Sequence, residues 1–224
     1  MSVTYRTIAL SPCRRPIVRI CNDNVSMPSP VGHLLAGAAV AWTADLVPGR
    51  RAWRTAPPTA TGYQRAGDGL TLICAFLAAA PDLDLIVHRH RTITHSVGAV
   101  IFVALAAAAI AAWQSLPVAR VALMCAGAYF SHLLLDWMAT DSYYPYGIQA
   151  LWPFSHSWYI SGWDIFRQTA RLHPLAVEEI VQNFKAIGAE LAVLGPIALV
   201  VWLVRVKALA GLPAQMPCRD HPPE

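Results

Sequence analysis

Long apolar stretches limit what this chain can fold into. Ser96–Trp113 and Ile187–Val206 are near-continuous runs of apolar residues. A helix that crosses a bilayer needs about 20 such residues, because each residue adds about 1.5 Å along the helix axis. The chain has only 13% charged residues, whereas soluble domains have about 25%. We therefore predict an all-α membrane protein.

Three further segments are apolar enough to be counted as spans, namely Val31–Val47, Leu70–Val87 and Leu116–Trp137. The first is short and the other two carry acids or His near their ends, so buried helices of a soluble α-protein are the alternative. The five segments together predict a polytopic membrane helix bundle with about five spans. Residues 139–186 are expected to be extramembrane, because their many aromatic rings favour the bilayer interface. Within them, Pro174–Lys185 is expected to form a short amphipathic helix.

The two ends of the chain differ in composition from the apolar region, and we assign residues 27–206 to a single membrane domain. Residues 1–26 are polar and contain scattered Arg and Pro. They are expected to be either a disordered tail or an extension upstream of a true start at Met27. The Pro-rich residues 207–224 are expected to be a second disordered tail. With a net charge of +4 and no basic run, no nucleic-acid partner is expected.

Ionisable side chains lie at the ends of four of the predicted spans. Such residues are costly in a membrane and are usually functional. Following the spans alternately across the bilayer puts all of them on one membrane face, whereas chance would scatter them over both. We therefore predict one metal site at that face. The candidate ligands are His33, Asp82, Asp84, His90, His95, His132 and Asp136.

The local spacing of these residues suits metal binding. His132 and Asp136 are separated by four positions and so share one face of a helix. Asp82 and Asp84 would diverge on a regular helix, but Pro81 disfavours the helical conformation of the residue before it and allows a bend. Imidazole and carboxylate ligands without thiolate suit zinc, with manganese and iron as alternatives. Seven ligands exceed what one tetrahedral zinc needs, so two or three ions are expected.

Each candidate also has a simpler interpretation. His33 could contact lipid headgroups, and the two acids of the second span could end a helix in water. His132 and Asp136 could form a hydrogen-bonded pair that helps helices to pack. Arg91 is a candidate substrate-binding residue, because a guanidinium can donate two parallel hydrogen bonds to the oxygens of an anionic group. An anchor at the membrane interface is the alternative for Arg91.

Five short motifs occur in a fixed order between about Met27 and Asp164. They are Pro-Ser-Pro-Val-Gly-His33, Pro81-Asp82-Leu83-Asp84, His90-Arg91-Thr92-Ile93-Thr94-His95-Ser96, Ser131-His132-Leu133-Leu134-Leu135-Asp136 and Leu151-Trp152-Pro153-Phe154. This ordered set resembles the YdjM-like family of bacterial inner-membrane proteins, which are described as membrane-bound metal-dependent hydrolases. The resemblance implies a multi-pass protein of the bacterial inner (cytoplasmic) membrane.

That family is distantly similar to zinc-dependent phospholipases C and single-strand nucleases, which are all-helical and hold three zinc ions with His and Asp. The resemblance implies that the seven candidates bind metal and that metal-activated water attacks a phosphoester or lipid-linked substrate. Asp82, Asp84 and Asp136 would bridge metals or accept a proton. A non-catalytic membrane protein that binds metal or handles ions is the alternative. Transport needs a continuous polar path through the spans, and its absence from the sequence favours a surface site.

Overall fold

The computed structural model describes residues 28–46, 67–87, 91–142, 144–170 and 176–210. These residues form α-helices and 3₁₀ helices, and they contain no β-strand beyond two isolated bridges. The all-α prediction is therefore confirmed for the described part of the chain. The α-helices are α1 (Pro30–Ala44), α2 (Gly69–Ala79), α3 (Val97–Trp113), α4 (Val118–Trp137) and α5 (Val177–Ala210), and the 3₁₀ helices are Ala80–Val87 and Ile93–His95.

Three of the helices begin at side chains that cap them. Ser29 accepts a hydrogen bond from the third residue of α1, and Pro30 occupies the first helical position, where its missing N–H costs nothing. Asp68 and Thr71 form a reciprocal capping box at the start of α2. Ser96 caps α3 in the same manner as Ser29 caps α1. The helix starts are therefore set by local sequence.

The predicted second span changes its winding at Pro81. The α-helical part ends at Ala79, and Ala80–Val87 continues as a 3₁₀ helix. A proline inside an α-helix lacks the N–H for the backbone ladder and clashes with the preceding turn. The tighter 3₁₀ winding therefore carries Asp82 and Asp84 at the end of the segment.

The helix bounds agree best with two of the predicted spans, whereas α1 ends at Ala44, three residues before the predicted Val47. The third and fourth predicted spans match α3 and α4 to within two residues. Helix α5 begins ten residues before Ile187 and absorbs most of the short amphipathic helix expected over Pro174–Lys185. Among the described helices, α4 and α5 are long and apolar enough to cross a membrane, and α3 is a shorter apolar helix. The count of five spans is therefore not confirmed.

Helix α4 lies at the centre of the bundle and packs against α1, α2 and α3, whereas α5 packs mainly against α1. Helices α1 and α2 approach closely at Gly37, where an added Cβ would lie 2.5 Å from the carbonyl oxygen of Cys74. Only 11% of the most apolar stretch of α5 is buried, against 56% for α4. The core of the bundle thus depends on α4. Helix α5 lies on the outside of the bundle, against α1.

Residues 139–142 and 144–170, here called the cap segment, cover the end of the bundle where α4 ends and α3 begins. The amide of Thr140 donates to the carbonyl of Phe166 at 2.8 Å, and Ile148 pairs with Tyr159. The amide of Val97, in the first turn of α3, donates to a cap-segment carbonyl at 2.8 Å. Phe166 and Ile148 are fully buried. The cap segment is therefore packed onto the bundle, although it contains no helix among its described residues.

The other end of the bundle contains a buried ion-pair triad. Asp45, the C-cap residue of α1, lies between Arg120 of α4 and Arg205 of α5. Arg205 Nε donates to Asp45 Oδ2 at 2.7 Å, and Arg120 Nη2 donates to Asp45 Oδ1. All three side chains are at most 5% exposed. The triad ties α5 to α1 and α4.

Candidate metal centre

Four side chains from three segments meet under the cap segment. Asp82 comes from the first 3₁₀ helix and His95 from the second, while His132 and Asp136 lie one turn apart on α4. Each of the four offers one ligand atom, and these atoms all lie within 4.8 Å of one another. His95 and His132 are fully buried. These four residues are called the His/Asp cluster below.

The separations within the cluster match those of ligands around one small cation. The Nε2 atoms of His95 and His132 are 3.0 Å apart, and they lie 3.3 and 3.2 Å from Asp136 Oδ2. Asp82 Oδ1 lies 3.3 Å from His132 Nε2 and 3.8 Å from His95 Nε2. Tetrahedral ligands at bond lengths of about 2.0–2.2 Å are separated by about 3.3–3.6 Å. The donor set and its spacing therefore fit a divalent cation such as zinc.

The outward nitrogens of both imidazoles are held by oxygen acceptors. His132 Nδ1 lies 2.8 Å from the carbonyl oxygen of Ala78. His95 Nδ1 lies 3.2 Å from Asp84 Oδ2, which also accepts a hydrogen bond from Thr94 Oγ1 at 2.5 Å. Protons on both Nδ1 atoms leave the Nε2 lone pairs directed at one another, which is repulsive unless a proton or cation lies between them. Such outer hydrogen bonds ordinarily orient histidine ligands of metals.

His33 lies directly beside the cluster at the N-terminal end of α1. Its ring stacks on that of His132, with centroids 3.9 Å apart, and its Nε2 is 3.5 Å from Asp136 Oδ1. Both ring nitrogens of His33 and both carboxylate oxygens of Asp136 are buried and make no hydrogen bond with the described residues. Buried polar atoms almost always have a partner. A cation bound in the cluster would supply one to Asp136.

The carboxylates also act on the proton affinity of His95, which precedes α3. Burial by itself lowers the pKa of His95, but the carboxylates of Asp136, Asp82 and Asp84 that face its ring outweigh burial and raise the pKa well above its ordinary value. The cluster thus stabilises positive charge at its centre. A divalent cation would replace the proton in that role.

The comparison with protein families identifies the family of this chain. The model of the family described as YdjM inner membrane protein matches residues 27–210, which is most of the chain. The chain belongs to this family. It is therefore an inner membrane protein, and the predicted family and location are confirmed. A search of curated proteins and a search of solved structures gave no match, so the relation to zinc-dependent phospholipases and nucleases has no support from relatives.

In this YdjM family member, five of the seven predicted ligands come together. They are His33, Asp82, His95, His132 and Asp136. Asp84 is buried behind His95, where it bonds Thr94 and faces His95 Nδ1. His90 lies outside the described residues. The His/Asp cluster thus has the imidazole of His33 as a neighbour, and the carboxylate of Asp84 orients His95 from behind.

Arg91, the predicted substrate residue, lies close to the cluster with its guanidinium paired. Its Nη1 is 2.5 Å from Asp141 Oδ2, which also accepts a hydrogen bond from the amide of Gly147 at 2.7 Å. Arg91, Asp141 and Asp136 line one small cavity of about 10 Å³. Asp136 therefore borders a small cavity with polar lining beneath the cap segment.

Sequence reasoning missed two groups that orient the imidazoles. The hydroxyl of Thr94 connects Asp84 with the His95 ring. A hydroxyl next to a candidate ligand is the signal that would have indicated this role. The carbonyl of Ala78 holds His132, and no sequence signal identifies a backbone acceptor of that kind.

Proposed function

We propose that this YdjM family protein is a membrane-embedded hydrolase that depends on a divalent metal, zinc in the first place, and cleaves a phosphoester or lipid-linked substrate. The observation that carries the proposal is the convergence of two imidazole Nε2 atoms and two carboxylates in the buried His/Asp cluster. A cation bound there would polarise a phosphoryl oxygen and lower the pKa of a bound water towards neutrality.

Asp136 has the central role in this proposal, because its two oxygens face different partners. Oδ2 lies near His95 and His132, while Oδ1 lies 3.5 Å from His33 Nε2. Asp136 would therefore help to hold a cation together with His95 and His132, and a second cation would find His33 beside the other oxygen. Asp82 would complete the first position, and Asp84 would act by orienting His95. A third ion would need further ligands, for which His90 is the sequence candidate.

A polar cleft supports an anionic substrate. It lies between the cap segment and the first turns of α5 and has a volume of about 470 Å³. Arg167 and Lys185 contribute exposed positive charge to its lining, which outweighs the single acid Glu178. Thr140 lines both this cleft and the small cavity at Asp136. A phosphate-bearing headgroup held in the cleft would therefore lie one residue away from the space beside Asp136.

Apolar surface supports a lipid-like substrate and a bundle that is embedded as a whole. A nearly apolar cavity of about 320 Å³ is lined by Leu133 and Trp137, the neighbours of the two α4 ligands in sequence. Phe76 of α2 and Phe102 of α3 are 66% and 72% exposed, as lipid-facing side chains would be. We propose that all five helices cross the bilayer. The second span would then consist of the 11 residues of α2 followed by the 8 residues of its 3₁₀ extension.

One observation favours a second candidate function. Four protein ligands would complete a tetrahedral shell, and the cavity beside Asp136 has room for about one water molecule. Zinc sites closed by four protein ligands are ordinarily structural, whereas catalytic sites keep one position open. The second candidate is a membrane protein that binds metal without catalysis.

Metal counting and hydrolysis together test the proposal. The protein would be purified in detergent without chelator, its metals counted by inductively coupled plasma mass spectrometry, and phospholipid hydrolysis measured in mixed micelles. The test variant is His132→Ala with Asp136→Ala. The control is His156→Ala, which changes an exposed histidine of the cap segment.

Two or three equivalents of metal, together with hydrolysis that the double variant loses and the control retains, are the expected result. One equivalent with no hydrolysis of phosphoester lipids would support the structural metal site instead. Folded wild-type protein without metal would reject both functions.

A further inference from the structure

Glu190 of α5 is a buried carboxylate on a helix that is otherwise largely exposed. It is 1% exposed, whereas only 11% of the most apolar stretch of α5 is buried. A carboxylate at this depth is costly unless it has specific partners. An apolar side chain would pack α5 against α1 without that cost. The partners of Glu190 therefore indicate what it does.

Glu190 binds the first residues of α1. The amide of Ser29 donates to Glu190 Oε1 at 2.6 Å, and the hydroxyl of Ser29 donates to Oε2. The amide of Gly32 donates in turn to the hydroxyl oxygen of Ser29 at 3.2 Å. The helix start thus presents two donors to one anion, and the dipole of α1 adds to the attraction.

The contact is a capping box whose acid comes from another helix. In an ordinary capping box, the third helical residue is Glu or Gln and its side chain bonds the amide of the N-cap residue. The third residue of α1 is Gly32, which has no side chain, and Glu190 bonds the amide of Ser29 in its place. A Cβ on Gly32 would lie 2.5 Å from Glu190 Oε2. Glycine is therefore needed here to admit the carboxylate.

The residue after Gly32 is His33, whose buried ring is held by packing rather than by hydrogen bonds. Its ring nitrogens make no hydrogen bond with the described residues, and its amide donates to the carbonyl of Ser29 at 3.3 Å. The position of its ring on His132 and near Asp136 therefore follows from the position of the α1 backbone. Glu190 holds that backbone at Ser29, and the Ser29 hydroxyl oxygen in turn accepts from the amide of Gly32.

We infer that Glu190 is a positioning residue of the metal centre: it fixes the start of α1 and thereby places His33 beside Asp136. This inference rests on the proposed metal-binding function. Helix α5 would then help to build the metal centre, although it packs sparsely, because it brings Glu190 to the start of α1. The Ser29, Gly32 and His33 of the first motif then act as one unit with Glu190.

The test uses full-length protein carrying Glu190→Ala, Glu190→Gln or Gly32→Ala, with Glu179→Gln as a control on the same helix. The first readout is amide hydrogen exchange at Gly32 and His33 in metal-free protein. The second is the visible absorption spectrum of cobalt-substituted protein, which reports ligand number and geometry. The third is metal affinity, with the thermal unfolding midpoint in detergent as the check on folding.

For Glu190→Ala we expect faster exchange at both amides, an altered cobalt spectrum and metal affinity weakened by about 10-fold to 100-fold, as for other residues that orient ligands. Gly32→Ala should resemble it, because the methyl group displaces the carboxylate. Glu190→Gln should recover part of the loss, since its amide oxygen still accepts from Ser29. The control should match wild type.

A folded Glu190→Ala protein with unchanged exchange, spectrum and affinity would overturn the inference. If Glu190→Ala does not fold, Glu190→Gln decides by the same readouts. If wild-type protein binds no metal, the proposed function fails, whereas the exchange measurement still decides whether Glu190 fixes the start of α1.

Discussion

The two ends of the bundle both bury aspartate, but with opposite surroundings. At one end, Asp45 is neutralised by Arg120 and Arg205, which donate to its two oxygens. At the other end, Asp136 faces the rings of His95 and His132, whose Nε2 atoms lie 3.3 and 3.2 Å from its Oδ2. The triad supplies its own cations, whereas the His/Asp cluster consists of groups that donate electron pairs.

This difference shows how a buried acid is to be interpreted. A carboxylate paired with guanidinium groups is satisfied within the protein, and its role is to hold helices together. Carboxylates that converge with imidazoles whose outer nitrogens are already bonded attract positive charge, either a proton on His95 or a cation from outside. The residue type is the same in both places, and the partners decide between structure and chemistry.

The largest effect is expected from removing a ligand of the cluster. His132→Ala deletes one of two facing Nε2 atoms and the ring on which His33 stacks. Bound metal should fall to near zero in mass spectrometry of the purified protein, while the Arg120–Asp45–Arg205 triad stays intact. Full metal content in this variant would show that the cluster is not the metal site.

Removing the acid of the triad should have the second largest effect, on stability alone. Asp45→Ala leaves Arg120 and Arg205 buried without their counter-ion and should cost about 3–5 kcal/mol of unfolding free energy. The measurement is denaturant unfolding in detergent micelles, with metal content determined on the folded fraction. Loss of metal from folded Asp45→Ala protein would contradict the separation of the two ends.

A smaller effect is expected from the carboxylate behind the cluster. Asp84→Asn removes the charge that orients His95 through Nδ1, so metal affinity should weaken by about 10-fold to 100-fold. Asp68→Asn, which changes the cap of α2, is the control and should bind metal as wild type does. If Asp84→Asn abolished metal binding outright, Asp84 would be a ligand, as the sequence predicted.

The smallest effect is expected when the whole triad is replaced by apolar residues. A protein with Asp45→Leu, Arg120→Met and Arg205→Met leaves no charge unpaired, and replacements of this kind are often neutral or stabilising by about 1–4 kcal/mol. Thermal unfolding and metal counting should both stay close to wild type. A large loss of metal would show that the triad acts on the cluster across the bundle.

Much of the fold was predictable, because it depends on short-range chemistry. Apolar runs located α3 and α4 to within two residues, and Ser29, Asp68 and Ser96 capped helices as their positions suggest. The extent of α5 was not predictable in this way. Its polar first turns read as a separate amphipathic segment, and only the continuous helix shows that the two parts join.

The sequence indicated which residues lie together in the candidate site, but not what each of them contacts. The alternating topology predicted that the ionisable span ends share one face, and five of the seven candidates lie close together in the structure. Asp82 and Asp84 are equivalent in sequence, yet one faces the cluster and the other faces the outer nitrogen of His95. Their two positions in the 3₁₀ winding separate them, and sequence spacing gives no rule for which one turns inward.

By itself, the sequence predicted a helical membrane protein with histidines and aspartates gathered at one end, since apolar length and the order of polar residues are properties of the chain alone. The tertiary structure decided which of those groups face each other, that Asp45 is neutralised, and that Glu190 reaches the start of α1. These are contacts between residues as many as 161 positions apart. Their distances depend on how the helices pack, which no local pattern encodes.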